Sequence, residues 1–231
     1  MKKTVALLVF LCMAGPLLAG DDFGFRFGLK ASPNVSWFRT ETRGFSNDGL
    51  DPGFSYGLIV DYGFTENYSI STGLNILRTG GTMRYRYTFD PGGENLDTEK
   101  RRDHYLRYVE IPLALKLSTE EMGYLTYFGK FGLGLGFNIQ AKADDRIYLA
   151  QDSTLRTKDL DISDDTRFFR AALIIGAGLE YNLGGLTSLL AGLTFHNGFS
   201  NVLNKDNPFD PASPSPSALN NYFELTLGVM F

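Results

Sequence analysis

The chain has 231 residues, enough for one sheet barrel or at most two small domains, and it reads as a single domain. Hydrophobic residues make up 43% and charged residues 21%, which excludes a wholly disordered chain, while 26 glycines and 14% aromatics favour strands over helices. The net charge of −4 is small and of the wrong sign for phosphate backbones, so nucleic acid is not an expected partner.

Residues 1–19 have the outline of a cleaved secretory signal peptide: Lys2 and Lys3, an apolar run over 5–14, then Pro16 and the small residues Ala19 and Gly20. That run is about half the roughly 20 residues a spanning helix needs. Cys12 follows Phe10 and Leu11 where a lipoprotein site requires small residues, so lipidation is not expected. Cleavage removes Cys12, the only cysteine, and leaves no thiol for a disulfide, a zinc site or a nucleophile. It also removes two lysines, leaving 20 basic against 26 acidic residues in the exported domain, 20–231.

After Gly20 no apolar run is long enough for a membrane helix, and the mean hydropathy is −0.11. What recurs is alternation, which puts one set of side chains on each face of a strand. Eight segments show it, at 23–31, 54–62, 68–76, 109–117, 124–140, 169–181, 189–195 and 222–231. In the fifth, Leu125, Tyr127, Phe131, Leu133, Leu135, Phe137 and Ile139 oppose Thr126, Lys130, Gly132, Gly134, Gly136, Asn138 and Gln140, with Phe128 the one bulky exception. In the last, Phe223, Leu225, Leu227, Val229 and Phe231 oppose Tyr222, Glu224, Thr226, Gly228 and Met230.

A tilted strand crosses a bilayer in roughly 9 to 11 residues, which these lengths meet. A water-soluble barrel would bury its apolar face and charge its exterior. Here the second face carries Gly, Ser, Asn and charges of both signs, which suits a narrow, filled lumen. The connections alternate in length: 63–67, 118–123 and 182–185 are short, whereas 33–52, 79–104, 143–165 and 198–221 are long. Short periplasmic turns, long outer loops and both termini inside follow. Aromatics fall at both edges, with Phe23, Tyr62, Tyr68, Tyr181 and Phe231 at the periplasmic rim and Trp37, Tyr105, Phe137, Phe169, Phe199 and Phe223 at the outer one.

The inward face holds Arg26, Lys30, Asp61, Glu110, Lys116, Lys130, Arg170, Glu180 and Glu224, five positive against four negative. Unpartnered buried charges are costly, so this balance predicts ion pairs that hold the cylinder shut. Counting from the periplasmic rim pairs Arg26 with Asp61, Lys130 with Glu180 and Lys30 with Glu224. Eight strands enclose an interior that side chains fill, which disfavours a conducting channel.

The stretches that resemble chemistry have plainer explanations. His104 and His196 lie in no metal-ligand pattern. His196 with Ser200 has the residue types of a base and nucleophile, but no third orienting acid can be named. Asp144, Asp145, Asp152, Asp159, Asp161, Asp164 and Asp165 form an acidic loop without the ordered calcium-loop spacing. Pro208, Pro211, Pro214 and Pro216 mark a fourth loop that cannot pair as strand. Arg84, Tyr85, Arg86 and Tyr87 continue the alternation of strand three past Gly80 and Gly81 as a hairpin above the membrane. Gly132, Gly134 and Gly136 precede no helix and form no phosphate loop. No catalytic, cofactor-binding or metal-ligating residue is therefore assigned.

Gly28-Leu-Lys-Ala-Ser-Pro-Asn-Val35, Tyr56-Gly-Leu through Tyr62, Tyr68-Ser-Ile-Ser-Thr-Gly-Leu74 and Tyr108-Val-Glu-Ile-Pro-Leu-Ala-Leu-Lys116 resemble the PorT-like family of outer-membrane barrels, of the small OmpA/OmpX type. Glu110-Ile-Pro112-Leu is the most telling element. The resemblance spans nearly all of 20–231 and implies an eight-stranded barrel in a Gram-negative outer membrane. Phe231 behind alternating apolar residues is similar to the signal read by the barrel assembly machinery. The best known relative supports secretion of virulence proteases, a role not carried over here, and no catalytic or binding position of that relative maps onto this chain.

The resulting expectation is an all-β, eight-stranded antiparallel up-and-down transmembrane barrel, monomeric, without a cofactor or catalytic activity. It sits in outer-membrane lipid and serves structure, adhesion or partner docking through its four long loops. A lipid A-modifying enzyme, a secretion accessory and a narrow pore remain as alternatives.

Overall fold

The computed structural model describes residues 24–40, 45–89, 96–149, 154–204 and 217–231. The signal peptide at 1–19, Phe23, Asp152 and the prolines at 208–216 lie outside the described residues.

The described residues form ten strands: β1 (Phe25–Arg39), β2 (Phe45–Asn47), β3 (Asp51–Gly63), β4 (Tyr68–Phe89), β5 (Leu96–Ser118), β6 (Leu125–Tyr148), β7 (Thr154–Asp161), β8 (Phe169–Gly184), β9 (Thr187–Gly198) and β10 (Leu219–Met230). Eight of them close a ring in the order β1, β3, β4, β5, β6, β8, β9, β10, with β10 returning to β1 and every pairing antiparallel. All eight predicted segments are barrel strands. The short β2 and β7 lie outside the ring and pair with the outer ends of β4 and β6.

The facing follows from what surrounds the ring. Hydrocarbon cannot hydrogen-bond, so a spanning sheet must close on itself and put apolar side chains outward. Leu29, Leu58, Leu113, Phe131, Leu193 and Leu227 are exposed in this way, whereas Ser32, Asn34, Ser55, Asn75 and Thr194 are buried inside. Rings gather at both rims: Phe25 tilts against Tyr62 and Tyr124 against Tyr181 on one side, and Trp37, Phe195 and Phe223 cluster on the other. The tightest turn, between β8 and β9, places Gly184 at φ 109° and Gly185 at φ 65°, a left-handed backbone that a side chain would strain.

Two predicted features are corrected. The loops assigned to 79–104 and 143–165 are mostly strand, because β4, β5 and β6 run 22, 23 and 24 residues and continue far beyond the outer rim. Above the membrane the outward face meets water instead of hydrocarbon, so its apolar row stops while backbone pairing continues. Gln140, predicted inside, points outward. A bulge lets Arg107 pair with Gln140 and Tyr108 with Asn138, so Ile139 is the extra residue and the facing of β6 inverts beyond it.

Candidate functional site

The interior is built in layers along the barrel axis. At the periplasmic end Lys116 Nζ bonds Asp61 Oδ2 at 2.6 Å and also Glu180, and Arg26 reaches Glu180 at 2.8 Å. Ser71 donates to Asp61 at 2.6 Å, and Ser188 donates to Glu180 at 3.1 Å. Phe128 enters from the side, with Lys116 Nζ 4.8 Å from its ring centre. In the middle layer Lys30 meets Glu224 at 2.7 Å, and Ser55 and Thr226 donate to the same carboxylate at 2.6 and 3.0 Å. A cavity of about 50 Å³ beside it is lined in part by Lys130, Glu110 and His196. Higher up, Arg170 holds Glu110 at 3.1 Å and the Asn220 carbonyl at 3.0 Å, while Tyr222 donates to Glu110 at 3.2 Å.

All nine predicted charges thus line the lumen, but only Lys30 and Glu224 pair as expected. Arg26 is the direct backbone partner of Asp61, yet its guanidinium crosses the lumen to Glu180. Glu180 takes Lys116 rather than Lys130. In an eight-stranded cylinder a long side chain reaches the opposite wall, so backbone neighbours do not dictate ionic ones.

Above Arg170 bulky apolar side chains fill the bore, beside the buried hydrogen bond from Thr79 to Asn220 at 3.0 Å. Phe38, Leu77, Met83, Leu106, Tyr108 and Val202 are at most 1% exposed and pack as one cluster across the bore. Sequence reasoning did not find this plug, although Leu77, Tyr108 and Tyr222 carry its signal as bulky residues on the polar phase of three strands. Beyond the plug Asp145 binds Arg102 at 2.6 Å and Lys100 at 2.7 Å. Burial pushes the Asp145 carboxyl up, but the hydrogen bonds from Arg102 and Lys100 outweigh it and hold it below the usual carboxylate range. His104 packs edge-on against Phe38, and burial, aided by the Arg102 charge, lowers its pKa to about 4.

His196 and Ser200 do not meet. His196 stacks on Tyr222 with ring centres 4.1 Å apart, and neither ring nitrogen has a hydrogen-bond partner. Ser200 Oγ instead accepts from the Ala171 amide at 2.7 Å. The acidic loop residues also disperse: Asp159 pairs with Lys142 at 3.0 Å, Asp161 accepts from Ser163, and Asp144 accepts from the Asp159 amide. Among the described residues no three acids, histidines or cysteines converge as metal ligands.

A closed ring with a lipid-facing apolar band, a charged interior and aromatic rims defines a small transmembrane barrel of the Gram-negative outer membrane. The chain belongs to the outer membrane protein beta-barrel domain family, whose model matches residues 21–204. Among solved structures it is similar to Neisserial surface protein A, at 14% identity over 88% of this chain and 95% of that one, with a TM-score of 0.44. It is also similar to the attachment invasion locus protein Ail of Yersinia pestis, at 13% identity over 90% and 99%, TM-score 0.39. A third is OprG of Pseudomonas aeruginosa, at 10% identity over 90% and 97%, TM-score 0.45. No curated protein matches the chain.

Proposed function

We propose that the chain is a monomeric, non-catalytic outer-membrane barrel that presents its extracellular sheet to a protein partner. The observation that carries this reading is the unpaired edge of β7. Strands β4, β5 and β6 rise above the outer rim as one sheet, and β7 adds a fourth strand on its side. Among the described residues β7 pairs with β6 alone, and seven of its eight residues are exposed apart from Leu160. Such an edge offers a row of free backbone donors and acceptors, to which an extended peptide adds as a further strand.

The same residues that resemble the PorT-like barrels support placing the chain among them. The outward-facing Phe231, 53% exposed and backbone-paired with Phe27 behind an alternating apolar row, supports recognition by the barrel assembly machinery during insertion.

A photoreactive residue at position 156 on intact cells tests the docking role. A discrete protein adduct is expected, and Leu155→Pro, which breaks pairing along this strand, is expected to abolish it while the barrel still inserts. An absent adduct, or one indifferent to the proline, counts against docking at this edge.

A further inference from the structure

The lipid-facing rows of β4 and β5 both end on arginine. On β4 the row Tyr68, Ile70, Thr72, Leu74, Ile76 is followed by Arg78, and on β5 the row Leu117, Leu115, Leu113, Ile111, Val109 is followed by Arg107. At ~3.3 Å per residue and a tilt of ~40°, the climb from Tyr68 to Arg78 is roughly 25 Å, the height of the apolar band. Both arginines therefore stand where hydrocarbon gives way to the headgroups of the outer leaflet.

Arg78 and Arg107 are direct partners across the β4–β5 ladder, and both are exposed. Like charges placed opposite each other destabilise a sheet. Among the described residues neither guanidinium lies within 4.0 Å of a carboxylate, although the Arg78 charge is felt at Asp51. Arg78 lies 5.9 Å from the ring centre of Tyr105, and the bulge at Ile139 swings Gln140 beside Arg107. Together with Lys142, Asp144 and Asp159 they border a recess of about 450 Å³ on the outer wall. At its extracellular end Lys142 is neutralised by Asp159 at 3.0 Å. Asp144, which accepts from the Asp159 amide at 2.9 Å, also borders the recess, so its three cations and two carboxylates leave one net positive charge, with Arg78 and Arg107 at the membrane-side end.

We infer that this recess binds the phosphate of an outer-leaflet lipid, with Arg78 and Arg107 as paired donors and the Gln140 amide as a third. A guanidinium fork matches phosphate oxygens bidentately, and a shared phosphate turns the like-charge contact into a bridge. A lipid is favoured over free phosphate because the Leu and Ile rows below the arginines continue as a surface for acyl chains.

The full barrel in maltoside micelles, which contain no phosphate, provides the test. Retention of phosphorylated lipid A, dephosphorylated lipid A and inorganic phosphate is compared by native mass spectrometry. The phosphorylated lipid is expected to bind about tenfold more tightly than the dephosphorylated one. Arg78→Gln combined with Arg107→Gln levels the two, whereas Arg86→Gln, the same charge change on the exposed stretch of β4 farther out, keeps the preference. If the double variant does not assemble, Arg107→Gln alone must reduce the preference. Equal retention of both lipids by the unaltered barrel, or a preference that survives the substitutions, overturns the site. Inorganic phosphate retained as tightly as the phosphorylated lipid overturns its assignment to a lipid.

Discussion

Lys116 bonds two buried carboxylates, Asp61 and Glu180, with side-chain exposures of 5%, 5% and 6%, and Arg26 is a second cation on Glu180. Removing Lys116 leaves Asp61 without its cation while Glu180 keeps Arg26, and a buried charge stripped of its partner is worse than a group never built. Lys116→Met is therefore expected to destabilise the barrel by about 3–5 kcal/mol. The measurement is the urea midpoint of folding into lipid vesicles. Adding Asp61→Asn and Glu180→Gln to Lys116→Met should recover most of the loss, because the neutral amides no longer repel. A triple variant as weak as the single one would show that Lys116 acts through packing on Phe128 instead. At this scale the sequence exposed the inward charges, since strict alternation identifies a face. It concealed their partners, since the reach of Arg26 across the bore to Glu180 depends on the diameter of the closed ring and not on the spacing of residues along a strand.

The extracellular parts of β4, β5 and β6 form an element whose stability is set by water on the outside and by the plug within. Their existence was only partly legible. Arg84 to Tyr87 retained enough alternation to mark a hairpin, but Asp144, Asp145 and Arg146 look like an acidic loop until Asp145 is seen under Arg102 and Arg146 on Asp103 at 3.0 Å. This element is expected to loosen in acid. His104, 3% exposed, has a folded pKa of about 4 against an ordinary 6.5, because burial and then Arg102 disfavour its charged form. Its neutral form contributes fully above pH 6.5, and that contribution is lost as pH falls from there towards 4, by up to about 3 kcal/mol. Asp145, whose carboxyl is held below its ordinary 3.8, contributes above that value and is lost only at still lower pH. Hydrogen-exchange protection factors in 81–86 and 98–106 should fall between pH 6.5 and 4 while those in the membrane band stay constant. His104→Leu should flatten this interval and leave the loss at lower pH. Protection that stays flat in the unaltered protein over the same interval would contradict the buried neutral imidazole.

Taken as a whole, the cylinder's bore turns from ionic to largely apolar at the level where its surroundings turn from hydrocarbon to water. Within the bilayer the outside is hydrocarbon, so the greasy face turns outward and ions with glycines fill the bore. Above it the outside is water, so Phe38, Leu77, Met83, Leu106 and Tyr108 turn inward as in a soluble protein, although each strand keeps its phase or shifts it only at the Ile139 bulge. A continuous sheet permits this because the backbone pairing is indifferent to which side is wet. The consequence is two obstructions in series: a layered ionic network, with Arg170 fully buried at its top, and an apolar plug over it. An ion entering from either end must break buried pairs or enter a dry layer, each costing several kcal/mol. Planar bilayers containing the barrel should therefore show no steady conductance steps in molar salt. Arg170→Ala should remain silent because the plug above it is intact, and Phe38→Ala should remain silent because the ionic layers below it are. Steady large steps from the unaltered protein would mean that the interior opens as a pore and that neither obstruction holds.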